Sequence, residues 1–332
     1  MVITAGGLCL LLIVGGILAA MRGSSSKVEE EEVVKADKAE TAVVDPGVTG
    51  PPGAAEKKTD ESSSAQSIEL KMVPAGANII VHLRPSELWS NGSLGEEVRF
   101  CLGPLGEWAE KQLVELCRFT PQEIEEAMIC LMLGERGTPP ETAVVFRLKD
   151  KQKPSVLLEK FPGRRSDDHV YPVYLGEKYC YLRGSDAKTI AVGPVSRADE
   201  MANAVRQPAV TATGIEQLLT LTDRTKTFTL IFEPRDARNF QDVLVGDNVA
   251  AFFNLVLDWF NDEEIETVVW GFSLDQQARR FESEILLRNH HSQRNIVTPA
   301  RLERSVQRRL GTLSYEIHQA VLKMKPGEVG PY

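Results

Sequence analysis

Val81-His82-Leu83-Arg84-Pro85-Ser86-Glu87-Leu88 is matched far along the chain by Leu230-Ile231-Phe232-Glu233-Pro234-Arg235-Asp236-Ala237. Each octet reads as an apolar strand, a charged residue, a proline and a helix-like start, because proline has no N–H to lose at the first helical position. A second echo follows in the same order: Glu123-Ile124-Glu125 recurs as Glu264-Ile265-Glu266, and each opens an apolar run. Two such pairs, in the same order and at nearly constant separation, imply a duplicated unit that reads strand, helix, strand, hairpin turn, strand, helix. The expected fold is α+β: two ferredoxin-like units side by side, with mainly antiparallel sheets and helices on one face. Residues 68–210 form the first unit and 211–325 the second.

Local patterns fill in this frame. Val268, Trp270, Phe272 and Leu274 alternate with Thr267, Gly271 and Ser273, the period-2 signal of a sheet with a buried face. Beyond Asp275-Gln276-Gln277, the residues Phe281, Ile285 and Leu287 return as the second strand of a hairpin, with Arg280, Glu282 and Glu284 facing out. Val170–Leu175, Lys178–Leu182 and Thr189–Val192 read as short strands that extend the first sheet. Thr120-Pro121-Gln122-Glu123 and Ser196-Arg197-Ala198-Asp199 carry a hydroxyl with an acid three places on, the pattern of a helix start. From Thr298-Pro299 the apolar residues Leu302, Val306, Leu310, Leu313, Ile317, Val321 and Met324 fall on one stripe of an expected last helix.

The N-terminus reads differently. Val2–Met21 holds no charged side chain, and twenty helical residues reach about 30 Å, the thickness of the bilayer hydrocarbon. A cleaved leader fits less well: no basic residue precedes the apolar run, and a cut after Ala20 would put the large Leu18 at −3. Residues 1–21 are therefore expected to be a retained single-pass transmembrane helix, with the bilayer as the partner of residues 2–21. Arg22 and Lys27 taken alone place the rest of the chain on the cytoplasmic side, but two charges do not fix the side. Residues 22–67 hold serine triplets, the Glu29–Glu32 run and Gly50-Pro51-Pro52-Gly53, with no aromatic residue. Such a stretch cannot bury enough apolar area to offset its chain entropy, so a disordered acidic linker is expected. It has 6 basic and 10 acidic residues, hence −4 of the chain's −9, and leaves −5 for the remainder. That balance argues against nucleic acid as a partner.

Val73–Leu88, VPAGANIIVHLRPSEL, resembles the first strand of single-pass membrane proteins of planctomycete-type bacteria, in which it follows an apolar N-terminus and a proline-rich linker. The resemblance implies membrane attachment and carries no catalytic residue onto this chain.

No motif names a reaction. G-x-S-x-G, H-E-x-x-H and G-x-x-x-x-G-K-[ST] are missing from the sequence, and Cys9, Cys101, Cys117, Cys130 and Cys180 form no C-x-x-C pair. Cys130 and Cys180 lie in apolar runs, where a thiol packs as a small hydrophobe. The spacing of Cys101 and Cys117 allows a disulfide in an exported domain. No catalytic, cofactor or metal site is assigned. Arg301, Arg304 and Arg308 share one face of the last helix and form a candidate surface for acidic lipid or an acidic protein partner. The leading expectation is a membrane-tethered, non-enzymatic binding or assembly module. The alternative is a membrane-anchored hydrolase-type enzyme that gathers scattered residues such as Asp167, Asp168 and His169.

Overall fold

The computed structural model describes residues 66–289, except 93, 103, 209, 245–253, 255–256, 261–264, 276 and 278–279. The expected transmembrane helix, nearly all of the linker and the expected helix Thr298–Met324 therefore lie outside the described residues. Among the described residues no helix is long and apolar enough to cross a membrane.

Ten strands make one sheet: β1 (Ile79–Leu83), β2 (Ile124–Met132), β3 (Glu141–Leu148), β4 (Arg164–Ser166), β5 (Val173–Leu175), β6 (Tyr179–Arg183), β7 (Thr189–Pro194), β8 (Phe228–Phe232), β9 (Ile265–Asp275) and β10 (Arg280–Asn289). Their order is β10-β9-β8-β1-β2-β3-β7-β6-β5-β4, and every neighbouring pair is antiparallel. The helices are α1 (Pro85–Leu88), α2 (Leu94–Leu102), α3 (Pro104–Cys117), α4 (Pro154–Lys160), α5 (Ala198–Asn203), α6 (Thr213–Leu219), α7 (Pro234–Asn239) and α8 (Gln241–Leu244). The chain is thus α+β around a single large antiparallel sheet.

The registers repeat across the middle of this sheet. Val81 on β1 lies opposite Leu230 on β8, its own partner in the octet alignment. Ile80 pairs with Cys130, and their counterparts in the second half, Thr229 and Gly271, also pair. Ile129 pairs with Val144, and the corresponding Trp270 pairs with Ile285. The irregularities coincide as well: the register slips at Glu125 on β2 and at Glu266 on β9. Each of these glutamates forms an ion pair with an arginine of the next strand, Glu125 with Arg147 at 3.3 Å and Glu266 with Arg288.

Polar clamps cross the same axis. The Asn78 Oδ1 accepts from the Leu133 N–H at 2.9 Å, and its Nδ2 donates to Asp236 Oδ2 at 3.2 Å. Thr227, its counterpart in the second half, accepts from the Leu274 N–H at 3.1 Å and donates to Glu87 Oε2 at 3.2 Å. Because β1 and β8 run in opposite directions, the start of each lies beside the helix that follows the other. Each clamp therefore ties one half to its neighbour.

Two expectations are corrected. A ferredoxin-like unit would set another strand between β1 and β2, yet here they are direct neighbours, with Leu83 opposite Ala127. The excursion through α1–α3 brings the chain back to the end of β1 that it left. Helices also cover both faces rather than one. Ile79, Val81 and Leu83 face a core that includes Leu88 and Trp89, Leu113 of α3, Leu157 of α4 and Ala237 of α7. Ile80 faces the other way, onto Ile68, Leu70, Val73 and Ala77 and onto Ile215, Leu218 and Leu219 of α6. Met201 and Ala202 of α5 cover Cys180, Leu182 and Ala191 on that second side. The reason is that all five residues of β1 and of β8 are buried, and a strand buried on both sides needs a layer on each.

Three details also differ. The Thr120–Glu123 box forms, but it opens a single 3-10 turn that leads straight into β2. The Ser196 hydroxyl caps no helix and donates instead to Glu141 Oε1 at 3.2 Å, while α5 starts at Ala198. Gln66, assigned to the linker, already belongs to the folded part, since its carbonyl accepts from the Arg224 N–H at 2.8 Å.

Asn78→Ala and Thr227→Ala each remove two hydrogen bonds, so each should lower stability by about 1–2 kcal/mol in urea melts. A silent Thr227→Ala beside a costly Asn78→Ala would show that the two clamps are not equivalent.

Candidate functional site

A buried histidine and a largely buried carboxylate meet on the second face of the sheet, where β1 meets β2. His82 sits mid-strand on β1, is 1% exposed, and lies diagonally across from Glu126 on β2. Its Nε2 lies 2.8 Å from Glu126 Oε1. A carboxylate can only accept, so Nε2 carries the proton and donates. Arg224, in the turn before β8, closes on the same carboxylate with Nε and Nη2, one to each oxygen. Burial alone would raise the Glu126 carboxyl, but the hydrogen bonds and charges of His82 and Arg224 outweigh it and hold the group at about 2.

One strand further, Thr229 lies opposite His82 across the β1/β8 pair. His82 Nδ1 and Thr229 Oγ1 are both buried with no hydrogen-bond partner among the described residues. Beyond Thr229 comes Gly271 on β9, then Glu284 on β10. Lys226 lies across Gly271 and forms an ion pair with Glu284; a Cβ at Gly271 would come within 2.7 Å of the lysine stem. Glycine there gives the long side chain its path over the sheet. Chemically, the arrangement places a carboxylate behind an imidazole, as in a general-base pair. At 1% exposure, however, His82 offers no surface to a substrate, and the group acts as a brace between β1, β2 and the turn before β8.

The residues named from sequence as candidate chemistry are drawn apart. Asp167 accepts from Arg165 Nε at 2.9 Å, Asp168 from the Ser166 hydroxyl at 3.1 Å, and His169 Nδ1 meets Asp199 at 2.6 Å. Arg301, Arg304 and Arg308 lie outside the described residues. Cys117, Cys130 and Cys180 are free buried thiols, and burial pushes the Cys180 thiol up to about 11 despite lowering hydrogen bonds. Among the described residues no group of three His, Cys, Asp or Glu side chains is placed to hold a metal. The octet pattern places His82 on a strand, as found, but nothing in it points to Glu126 and Arg224. The available signal was Glu126 itself, a carboxylate just before an apolar strand run.

No family model matches the sequence, and no curated protein matches it. Solved structures titled as crystal forms IV and III of TP0453 align with a TM-score of 0.36 each. They are 9% and 8% identical over 67% of this chain, which spans 81% and 80% of theirs.

Glu126 titrates at about 2, below its ordinary 4.5, so its stabilisation is complete above pH 4.5 and is lost as the pH falls toward 2. Between those values the native chain should lose on the order of 3 kcal/mol more than Glu126→Gln in urea melts. Parallel acid limbs for the two proteins would show that the carboxylate carries no such linkage.

Proposed function

We propose that this chain is a membrane-tethered, non-enzymatic binding or assembly module. Residues 2–21 hold it to the bilayer, residues 22–65 act as an acidic tether, and a duplicated α+β body is what it presents. The observation that carries this reading is the use to which the ionisable groups are put. His82, Glu126 and Arg224 join β1 and β2 to the turn before β8. Arg197 joins Glu141 of β3 to Glu200 of α5. Glu125 with Arg147 and Glu266 with Arg288 join neighbouring strands. These pairs stiffen a platform. Asp167, Asp168 and His169, the residues offered for a hydrolase-type alternative, are turned toward three separate partners.

The repeat of register, bulge and clamp about Val81 and Leu230 supports a duplication as the origin of the two halves. Symmetry of this kind is what a chain acquires when a unit that once paired with its own copy is fused to it.

The full chain should stay in the membrane pellet through high-salt and carbonate washes, and affinity capture from solubilised membranes should bring down a stoichiometric protein partner. Release by the washes, or processing near Ala20, would sink the tether. Hydrolysis of a model ester or peptide that is lost on Asp168→Asn and His169→Ala would sink the non-enzymatic reading.

A further inference from the structure

The two halves differ in one respect that bears on binding. On the outer side of β3, β7 adds antiparallel over four positions, Val144 to Val192, Val145 to Ala191, Phe146 to Ile190 and Arg147 to Thr189. The strand that corresponds to β3 in the other half is β10, where the equivalents of Val144, Val145, Phe146 and Arg147 are Ile285, Leu286, Leu287 and Arg288. Three apolar residues and an arginine recur in the same order. The arginines also match in surroundings, since each is paired to the glutamate at the register slip of the preceding strand. Yet β10 ends the sheet, with no further strand beside it among the described residues.

An edge of this kind presents free backbone N–H and C=O groups, and proteins commonly guard it with charge. Here the guard is partial. Glu282 and Glu284 are exposed along the first part of β10, whereas Ile285, Leu286 and Leu287 are half-buried and uncharged. Ile285 and Leu287 lean on the first-face core and Leu286 on the second, so an added strand would find apolar ground on both sides.

Resting on the reading of the chain as a binding module, we propose that the outer edge of β10 at Ile285–Arg288 binds an extended, uncharged strand of a partner protein. The partner segment adds antiparallel, as β7 adds to β3. Its chemistry is that of Thr189-Ile190-Ala191-Val192: small or β-branched residues opposite the apolar strip and a hydroxyl opposite Arg288. Main-chain hydrogen bonds supply the affinity and the alternating side chains the selectivity.

The test is hydrogen exchange on the full chain with a synthetic peptide copying residues 188–195 as the probe. Without peptide, the amides of Ile285–Arg288 should exchange faster than those of Val144–Arg147. Saturating peptide should slow them by about tenfold or more, a factor that a gain of about 1.4 kcal/mol in local stability produces. A scrambled peptide, or one N-methylated on the amides that face β10, should leave them unchanged. β10 amides that are already slow in the free chain would overturn the proposal, because the edge is then filled by another part of the chain or, if dilution restores fast exchange, by a second copy. Amides indifferent to the peptide would overturn it too. Capture of a membrane partner that persists in excess peptide would overturn this site while leaving the module reading intact.

Discussion

The antiparallel pairing of β1 with β8 is the constraint on which the rest of the structure hangs. Centred on Val81 and Leu230, it joins strands from distant parts of the chain into the middle of a ten-stranded sheet. Both strands are buried on both sides, so each face must carry a layer, and the chain supplies one from helices on the first side and another from residues 66–77 with α5 and α6 on the second. The clamps at Asn78 and Thr227 lie at the two ends of this pair, where an open end would otherwise leave backbone N–H groups unmet.

Electrostatics follows from the same geometry. A carboxylate at 16% side-chain exposure is costly to leave alone, and a buried ion loses more by desolvation than one partner restores. Glu126 has two partners, and their hydrogen bonds together outweigh its burial. The group is thereby committed to structure: the two oxygens are engaged by His82 and Arg224, and the imidazole is enclosed. Removing any one member would strand a buried charge or donor, so the set behaves as one unit rather than as independent contacts.

The asymmetry of the molecule lies outside the repeated strands. Beyond β3 the first half extends through β7, β6, β5 and β4, with Tyr174 stacked on Tyr181 at 4.6 Å and Phe161 packed against Tyr181 at 5.5 Å. The second half turns at β10. Among the described residues the sheet is thus extended on one flank, beyond β3, and not on the other, beyond β10.

The sequence by itself determined the strands at Val81 and Leu230, the hairpin at Asp275, the three added strands up to Val192 and the common order of matching segments, but not β4. These depend on local alternation of apolar residues and on one chain segment resembling another, both readable along the chain. It also placed His82 on a strand. Tertiary structure alone decided that the halves share one sheet, that both faces are covered, and that Glu126 meets His82 from 44 residues away and Arg224 from 98. Alternation shows that a strand has a buried side but not which strand lies next to it, and a charged residue looks the same in sequence whether solvated or enclosed. Those choices are made by register between distant segments, where burial of both faces and the satisfaction of each buried polar group must be met together.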